Sequence, residues 1–333
     1  MYNVVKKMVQ TDKKGISIVI TCYNSEFFLP KTLEHLAKQE IRKDIPVELL
    51  IINNVSTDNT KEVAGLEWKK YNSDFLFRMV DEEKPGVLFA RQRGVTEAQY
   101  EYILCCDHDN YLQSDYAQRA YDIMESNEKI GALGGQSVAI SDVDFPDWFS
   151  DYQSWYAVGE QANNSGDVTH RRYVWSAGMM TRRSLLLKVF NDKYPFITQG
   201  RTENNLLSGE DSEMCRRMML IGYKLYYDKS LLFYHFMTRN RLNWVYLKNL
   251  LQGIEHANIL LKKYDLILAE KNKSLIRKIL SILYHILQMI KQRNSTVQLK
   301  TELYAKVTFM LRSAKLVKDS DYQIIIRFFL ENK

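Results

Sequence analysis

Residues 102–112 read YILCCDHDNYL. An apolar run, Tyr102 to Cys106, meets Asp107, His108 and Asp109 without a spacer. A run of that length has the pattern of a buried strand. Two carboxylates at its exit repel each other and are costly to withdraw from water, so something must offset them. A divalent cation would do so, and hard oxygen donors suit Mg²⁺ or Mn²⁺. Asp-x-Asp also opens ordinary solvated turns. What distinguishes this pair is the strand, which fixes it at one edge of a sheet.

Three more strands are expected upstream. ISIVIT (16–21) is a β-branched run that ends in Cys22, Tyr23 and Asn24. VELLIIN (47–53) ends in Asn53 and Asn54, followed by VSTDNT, whose turn and capping residues predict a helix from about Thr57. FLFRMV (75–80) is a third. A helix is expected from Pro30, where the missing N–H costs nothing, and another after Gly86. Strands alternating with helices predict an α/β fold: a mostly parallel central sheet flanked by helices. In such sheets ligands bind outside the carboxyl ends of the strands. TCYNSE, NNVSTD and CDHDN all fall there, so three distant segments point into one crevice. From Ile130 the pattern reads as irregular. A helix is clear in SGEDSEMCRRMMLIG (208–222), with Met214, Met218 and Ile221 on one face and Gly222 as its stop. YKLYYD and LLFYHF read as two short strands, and everything beyond about residue 250 as helical.

Composition adds limits. The 333 residues are 46% hydrophobic, enough for a large core. Residues 1–250 hold 31 Lys+Arg against 33 Asp+Glu, whereas residues 251–333 hold 15 against 7, so the net charge of +6 comes from a basic tail. No nucleic-acid motif accompanies that charge. Cys22, Cys105, Cys106 and Cys215 lack zinc spacing; Cys22 and the adjacent pair end apolar runs and read as buried free thiols of a reducing compartment. No signal peptide is evident, and the longest strongly apolar uncharged stretch, residues 279–290, is too short to span a bilayer.

Taken as a set, ISIVITCYN, LLIINNVSTDNT, GVLFARQRGV, YILCCDHDN, SAGMM and GED, in this order, resemble the family 2 glycosyltransferases of the GT-A fold over roughly residues 14–250. The resemblance implies an inverting, metal-dependent, hexosyltransferase-type enzyme of polysaccharide biosynthesis. It would move a sugar from a nucleoside diphosphate donor, with UDP the expected nucleotide, to a glycan or lipid-linked glycan. It implies nucleotide contacts at Thr21, Tyr23 and Glu26, at Asn53 and Asn54 where the family carries acids, at Arg91, and at Asp107 on the ribose side. Asp109 becomes the firmer ligand of Mg²⁺ or Mn²⁺, with Asp107 and a late histidine, His235, beside it. His108 reads as a bystander. Asp211 is the expected base that takes the acceptor's proton, with Glu210 its acidic neighbour and helix cap. Arg239 and Arg241 could clamp diphosphate oxygens, although Arg241 fits a solvated loop slightly better. Trp148, Trp155 and Trp175 flank the acceptor side.

The expected organisation is a catalytic domain over 14–250 and a basic helical extension over 251–333. Residues 273–292 form an amphipathic basic stretch that either packs on the catalytic domain or contacts a membrane surface. The expected location is the cytoplasm, with peripheral contact at the inner face of the membrane as the variant. Two rival functions stand beside this one. A sugar-phosphate nucleotidyltransferase would want a Gly-rich basic loop after the first strand, where TCYNSE stands. A non-catalytic nucleotide- or glycan-binding module would have no need of Asp211.

Overall fold

The computed structural model describes residues 13–201, 207–291, 297–312 and 317–332. The run Ile16–Ile20 is wholly buried at the centre of β1 (Lys13–Cys22), as its β-branched content demands. There follow α1 (Leu29–Ala37) with Pro30 in its first turn, β2 (Val47–Asn54) with all eight residues buried, α2 (Thr60–Lys69), β3 (Leu76–Glu82), α3 (Val87–Glu97) and β4 (Tyr100–Asp107). Parallel registers set Thr21 beside Ile52 and Asp107, and Cys22 beside Asn53. The exits of β1, β2 and β4 are therefore level, and their polar residues emerge at one edge.

Downstream come β5 (Asn110–Leu112), α4 (Tyr116–Ser126), β6 (Ile130–Ile140), α5 (Phe149–Tyr152), β7 (Gly166–Asp167), β8 (Met180–Arg182), α6 (Arg183–Val189), α7 (Glu210–Leu220) and β9 (Lys224–Phe236). The strands form one sheet in the order β3-β2-β1-β4-β8-β6-β9-β5, with β7 pairing β9. The long registers, β1–β2, β1–β4, β2–β3 and β6–β9, are parallel, and the antiparallel pairings span only two or three residues each. The fold is the α/β one expected, with helices α8 (Trp244–Lys271), α9 (Leu275–Lys291), α10 (Val297–Met310) and α11 (Ser320–Asn332) completing the chain.

Two expectations are corrected. The segment from Ile130 is not irregular: it is the eleven-residue β6. Its glycines mask it, because they are weak strand formers. They are needed for close approach, since a Cβ on Gly135 would stand 2.3 Å from the Leu231 carbonyl oxygen. The two short strands expected after Gly222 are one, β9, whose register against β6 jumps between Gly134 and Gln136 where Lys229 and Ser230 bulge into solvent.

The boundary drawn at residue 250 falls inside α8. The helix's buried face runs through it without a break, from Leu247, Leu250 and Ala257 to Leu261, Tyr264 and Ile267. Tyr264, Ile267, Phe309 and Phe329 share one apolar cluster with Val19 and Leu50 of the sheet. The tail therefore has no core separate from the sheet's among the described residues.

The join between α7 and α8 is polar and buried. Arg217 and Glu213 are both fully buried and paired at 2.8 Å. All five N–H donors of Arg217 find acceptors: Tyr264 Oη at 2.9 Å, the carbonyls of Val189, Tyr194 and Pro195, and Glu213. Glu213 also accepts from Thr198 and from Tyr264 Oη. Arg217→Met strands the Glu213 carboxylate without its counter-charge. We expect a loss of about 3–5 kcal/mol, read as a lower urea midpoint. An unchanged midpoint would show that the network contributes nothing net.

Candidate active site

A cavity of about 550 Å³ opens at the carboxyl ends of β1, β2 and β4. Thr21, Cys22 and Tyr23 line it from β1, Asn54 and Val55 from β2, and Asp107, His108 and Asp109 from β4. Ser176, Glu210, Asp211, His235 and Arg241 line it from the other side, together with Tyr246 and Leu250 of α8. The Asp-His-Asp and Gly-Glu-Asp corners, about 100 residues apart in sequence, thus share one chamber.

The first corner is a tight turn between β4 and β5. Asn110 holds it, accepting the Asp107 N–H at 3.2 Å and donating to Asp109 Oδ1 at 3.2 Å. Asp109 is 3% exposed. Its Oδ2 accepts from Arg241 Nη1 at 2.8 Å, and His235 Nε2 lies 3.5 Å away. Burial alone would raise the Asp109 carboxyl. His235 and Arg241 outweigh that and hold it well below the usual carboxylate range. Arg241 is therefore not a solvated loop residue, whereas Arg239 is exposed. His108 stacks on Phe28 at 4.6 Å and its Nδ1 meets Ser25 Oγ at 2.8 Å, while burial pushes its pKa down.

The second corner begins at Gly209, with φ of +109°. Glycine is required twice over there, because a Cβ would lie 2.6 Å from the Cβ of Ala257 on α8. The acids that follow open α7, where they complement the helix dipole. Glu210 is not a cap. Its Oε1 accepts from Arg91 Nη1 at 2.8 Å, while Arg91 Nη2 donates to Ser176 Oγ at 2.8 Å. Burial works against the Arg91 charge, and Glu210 and then Asp107 more than restore it. One guanidinium thus feels both acidic corners. Asp211 goes the other way: withdrawal from water, then the adjacent Glu210, push its carboxyl up against the pull of Arg91.

Thr21, Tyr23, Asn54, Arg91, Asp107, Asp109, His235, Glu210 and Asp211 all line the cavity, as does Trp155, which is 44% exposed, and the buried Trp175. Glu26 and Asn53 do not. Glu26 Oε2 accepts the Asn59 N–H at 2.9 Å, tying the two strand-exit loops together. Asn53 is buried and donates to Asp81 Oδ1 at 2.8 Å. The Asn54 amide is committed to the backbone of residues 82–86. Its part is to shape the loop before α3. Asp58 holds the start of α2 by accepting from Thr60, three residues beyond the helix start expected. Trp148 packs against Trp244 at 4.8 Å, away from the cavity lining. Ser176 and the α8 pair Tyr246 and Leu250 were not singled out. Ser176 opens the SAGMM motif, which is its signal in the sequence, whereas the α8 pair has none.

The donor set bears on a metal. Asp107 and Asp109 are hard oxygen donors two residues apart. Among the described residues no group of three His, Cys, Asp or Glu side chains is arranged to hold an ion. An ion here would take its remaining ligands from diphosphate and water, which is how Mg²⁺ is usually held. The pair fits that use, with Arg241 as a competing cation on Asp109.

Residues 17–190, just over half of the chain, match the model of Glycosyl transferase family 2. The chain belongs to that family. Among curated relatives, the poly-beta-1,6-N-acetyl-D-glucosamine synthase of Staphylococcus epidermidis is 36% identical over 123 residues, 37% of this chain and 28% of that protein. The enzyme of the same name from Staphylococcus aureus strain COL is 32% identical over the same span and shares. The chain thus spans under a third of the length of those relatives. Among solved structures, S. aureus TarS 1–349 with UDP aligns over 96% of this chain and 88% of its own, with a TM-score of 0.52 and 17% identity. The same fragment with UDP-GlcNAc aligns over 96% and 89%, with a TM-score of 0.52 and 16% identity. That likeness is one of fold, the GT-A type.

The raised Asp211 carboxyl has a stability consequence. A folded state that binds the proton more readily than the unfolded one loses stability as pH rises from the ordinary value of 3.8 through the raised one. Asp211→Asn removes that cost and keeps a carbonyl to accept the Ser212 N–H. The variant should therefore show a higher urea midpoint than the parent at pH 7, with the gap closing below about pH 4. A lower midpoint at pH 7 would contradict the raised carboxyl.

Proposed function

We propose that this chain is an inverting, metal-assisted glycosyltransferase. It moves a sugar from a nucleoside diphosphate donor, UDP-sugar first among them, to a hydroxyl of a glycan or lipid-linked glycan in polysaccharide biosynthesis. The observation that carries the reading is the shared chamber: a carboxylate with raised proton affinity, Asp211, opposite a carboxylate pair, Asp107 and Asp109, with Arg91 answering to both.

The reaction is one displacement. The acceptor oxygen attacks the anomeric carbon, its proton passes to Asp211, and the bond from that carbon to the diphosphate breaks. Arg91 holds Glu210 in place beside the base. Arg241 and Arg201 bring positive charge to the cavity wall, where the departing diphosphate develops negative charge. Mg²⁺ or Mn²⁺, held by Asp107 and Asp109 with His235 alongside, would supply further charge neutralisation when bound. Thr21, Tyr23, Val55 and the loop shaped by Asn54 form the wall on which a nucleoside would lie. Tyr23 offers a stacking face. Trp155 and Trp175 offer faces to sugar rings. A relative that is a poly-beta-1,6-N-acetyl-D-glucosamine synthase, and a fold neighbour solved with UDP-GlcNAc, make UDP-GlcNAc the first donor to try. A nucleotidyltransferase lacks support, because the β1 exit has no Gly-rich basic loop. A binding module would derive nothing from a base at Asp211. No helix among the described residues is long and apolar enough to cross a membrane. We place the enzyme in the cytoplasm, drawn to the inner membrane face when its acceptor is lipid-linked.

With UDP-GlcNAc and Mn²⁺, Asp211→Asn should cut transfer by roughly 10²–10⁴-fold while UDP still raises the melting temperature. Turnover equal to the parent's would remove Asp211 as base. Asp109→Ala should abolish the extra thermal stabilisation that Mn²⁺ gives to UDP binding, read against that variant's own melting temperature because the change also strands Arg241. If Mn²⁺ adds as much in that variant as in the parent, the metal does not sit at this pair. The parent's rate should climb with pH as Asp211 sheds its proton, at a pH above the ordinary aspartate value of 3.8.

A further inference from the structure

Helix α9 is mounted inside out. Nine of its apolar side chains, Leu275, Ile276, Ile279, Leu280, Leu283, Tyr284, Ile286, Leu287 and Ile290, are between 36% and 71% exposed. On a wheel of about 100° per residue they cover roughly half the circumference without a gap. The opposite face, which packs on α10 and meets the end of α8 at Glu270, carries the polar groups. Ser281 Oγ donates to Glu270 Oε1 at 2.9 Å, and Lys273 and Lys306 reach the same serine. The buried His285 Nε2 meets the Leu299 carbonyl at 3.0 Å. An amphipathic helix held by its polar face presents its apolar face to something else. Monomers in water rarely leave so large a contiguous apolar patch uncovered.

The charge around the patch identifies the occupant. Residues 273–312 contain eight Lys+Arg and one acid, Glu302. Arg277 is exposed at the edge of the α9 face. Lys300 lies on α10 in one stripe with the exposed Val297, Tyr304 and Leu311, and Arg312 follows that helix. None of these three cations forms an ion pair among the described residues. A second copy of the chain would press this cationic rim against itself. A surface of anionic headgroups over hydrocarbon matches both features, and a helix of 17 residues, about 25 Å long, lies flat in such an interface.

We propose that the outward face of α9 docks on an anionic lipid bilayer. The inference does not rest on the glycosyltransferase reading, because none of these residues lines the cavity.

The test is flotation of the full-length protein on vesicles, phosphatidylcholine alone against phosphatidylcholine mixed with phosphatidylglycerol. The parent should float on the mixed vesicles and do so far less on the neutral ones. Combining Ile279→Glu, Leu283→Glu and Leu287→Glu should lower binding at least about tenfold. Its thermal midpoint and its turnover of a soluble donor should stay at the parent's values, since these side chains point outward. Combining Arg277→Glu, Lys300→Glu and Arg312→Glu should weaken binding to the mixed vesicles and remove its salt dependence. A parent that stays in the soluble fraction on mixed vesicles overturns the proposal. So does an apolar-face variant that floats as well as the parent, or sedimentation showing a dimer that this variant splits.

Discussion

Four carboxylates, Asp107, Asp109, Glu210 and Asp211, converge on one cavity, and the rest of the site follows from how their charge is offset. Arg241 pairs with Asp109 and Arg91 with Glu210. Each guanidinium comes from a different part of the chain, so the two acidic corners meet only when the whole fold has closed. The offsets are unequal by design of the local geometry. Asp109 is buried yet kept ionised by two cationic or potentially cationic neighbours. Asp211 is withdrawn from water, with the like charge of Glu210 next to it and a shared cation one residue away, and its proton affinity rises. Pairs of acids with environments that pull their pKa values apart are how one cavity can both bind positive charge and accept a proton.

The tail helices are part of this arrangement. Helix α8 touches the Gly-Glu-Asp turn at Gly209 through Ala257, locks α7 through Tyr264 and Arg217, and lines the cavity with Tyr246 and Leu250. Asn243 starts it with a side-chain cap on the Tyr246 N–H at 2.9 Å, which also sets where Tyr246 stands. A helix that sequence alone splits from the catalytic domain is thus one of the walls of the site. The Gly-Glu-Asp turn needs glycine because of a contact made more than 40 residues later in the chain.

What the sequence made legible is what short-range physics controls. β1, β2 and β4 are nearly continuous apolar runs, as strands buried on both faces must be, and their polar exits mark the cavity edge. The Asp-His-Asp and Gly-Glu-Asp corners read from those exits. The hidden parts depend on contacts between distant segments. β6 was masked because Gly131, Gly134 and Gly135 are demanded by neighbours from residues 116, 161, 223 and 231, which no local pattern reveals. Glu26 and Asn53 sit near the right strand exits, but Glu26 is taken by the Asn59 N–H of the next loop and Asn53 by Asp81, its register partner on β3. Arg241 looked solvated because it sits in a polar run, RNRLN. Its partner lies 132 residues earlier.

The same distinction explains α9. Its periodicity shows a wide apolar face, and periodicity alone predicts that this face turns inward, as in most helices on a globular domain. What reverses it is Glu270. That carboxylate is 3% exposed at the end of α8, and it needs donors. Ser281 and Lys273 supply them, with Lys306 at 3.8 Å. Leaving a buried carboxylate without donors costs about 3–5 kcal/mol, and the Ser281 hydrogen bond fixes which side of α9 faces it; what the nine outward apolar side chains lose in water is recovered only where another apolar surface covers them. The polar stripe of α9 is therefore drawn onto α8, and the apolar stripe is turned to the outside.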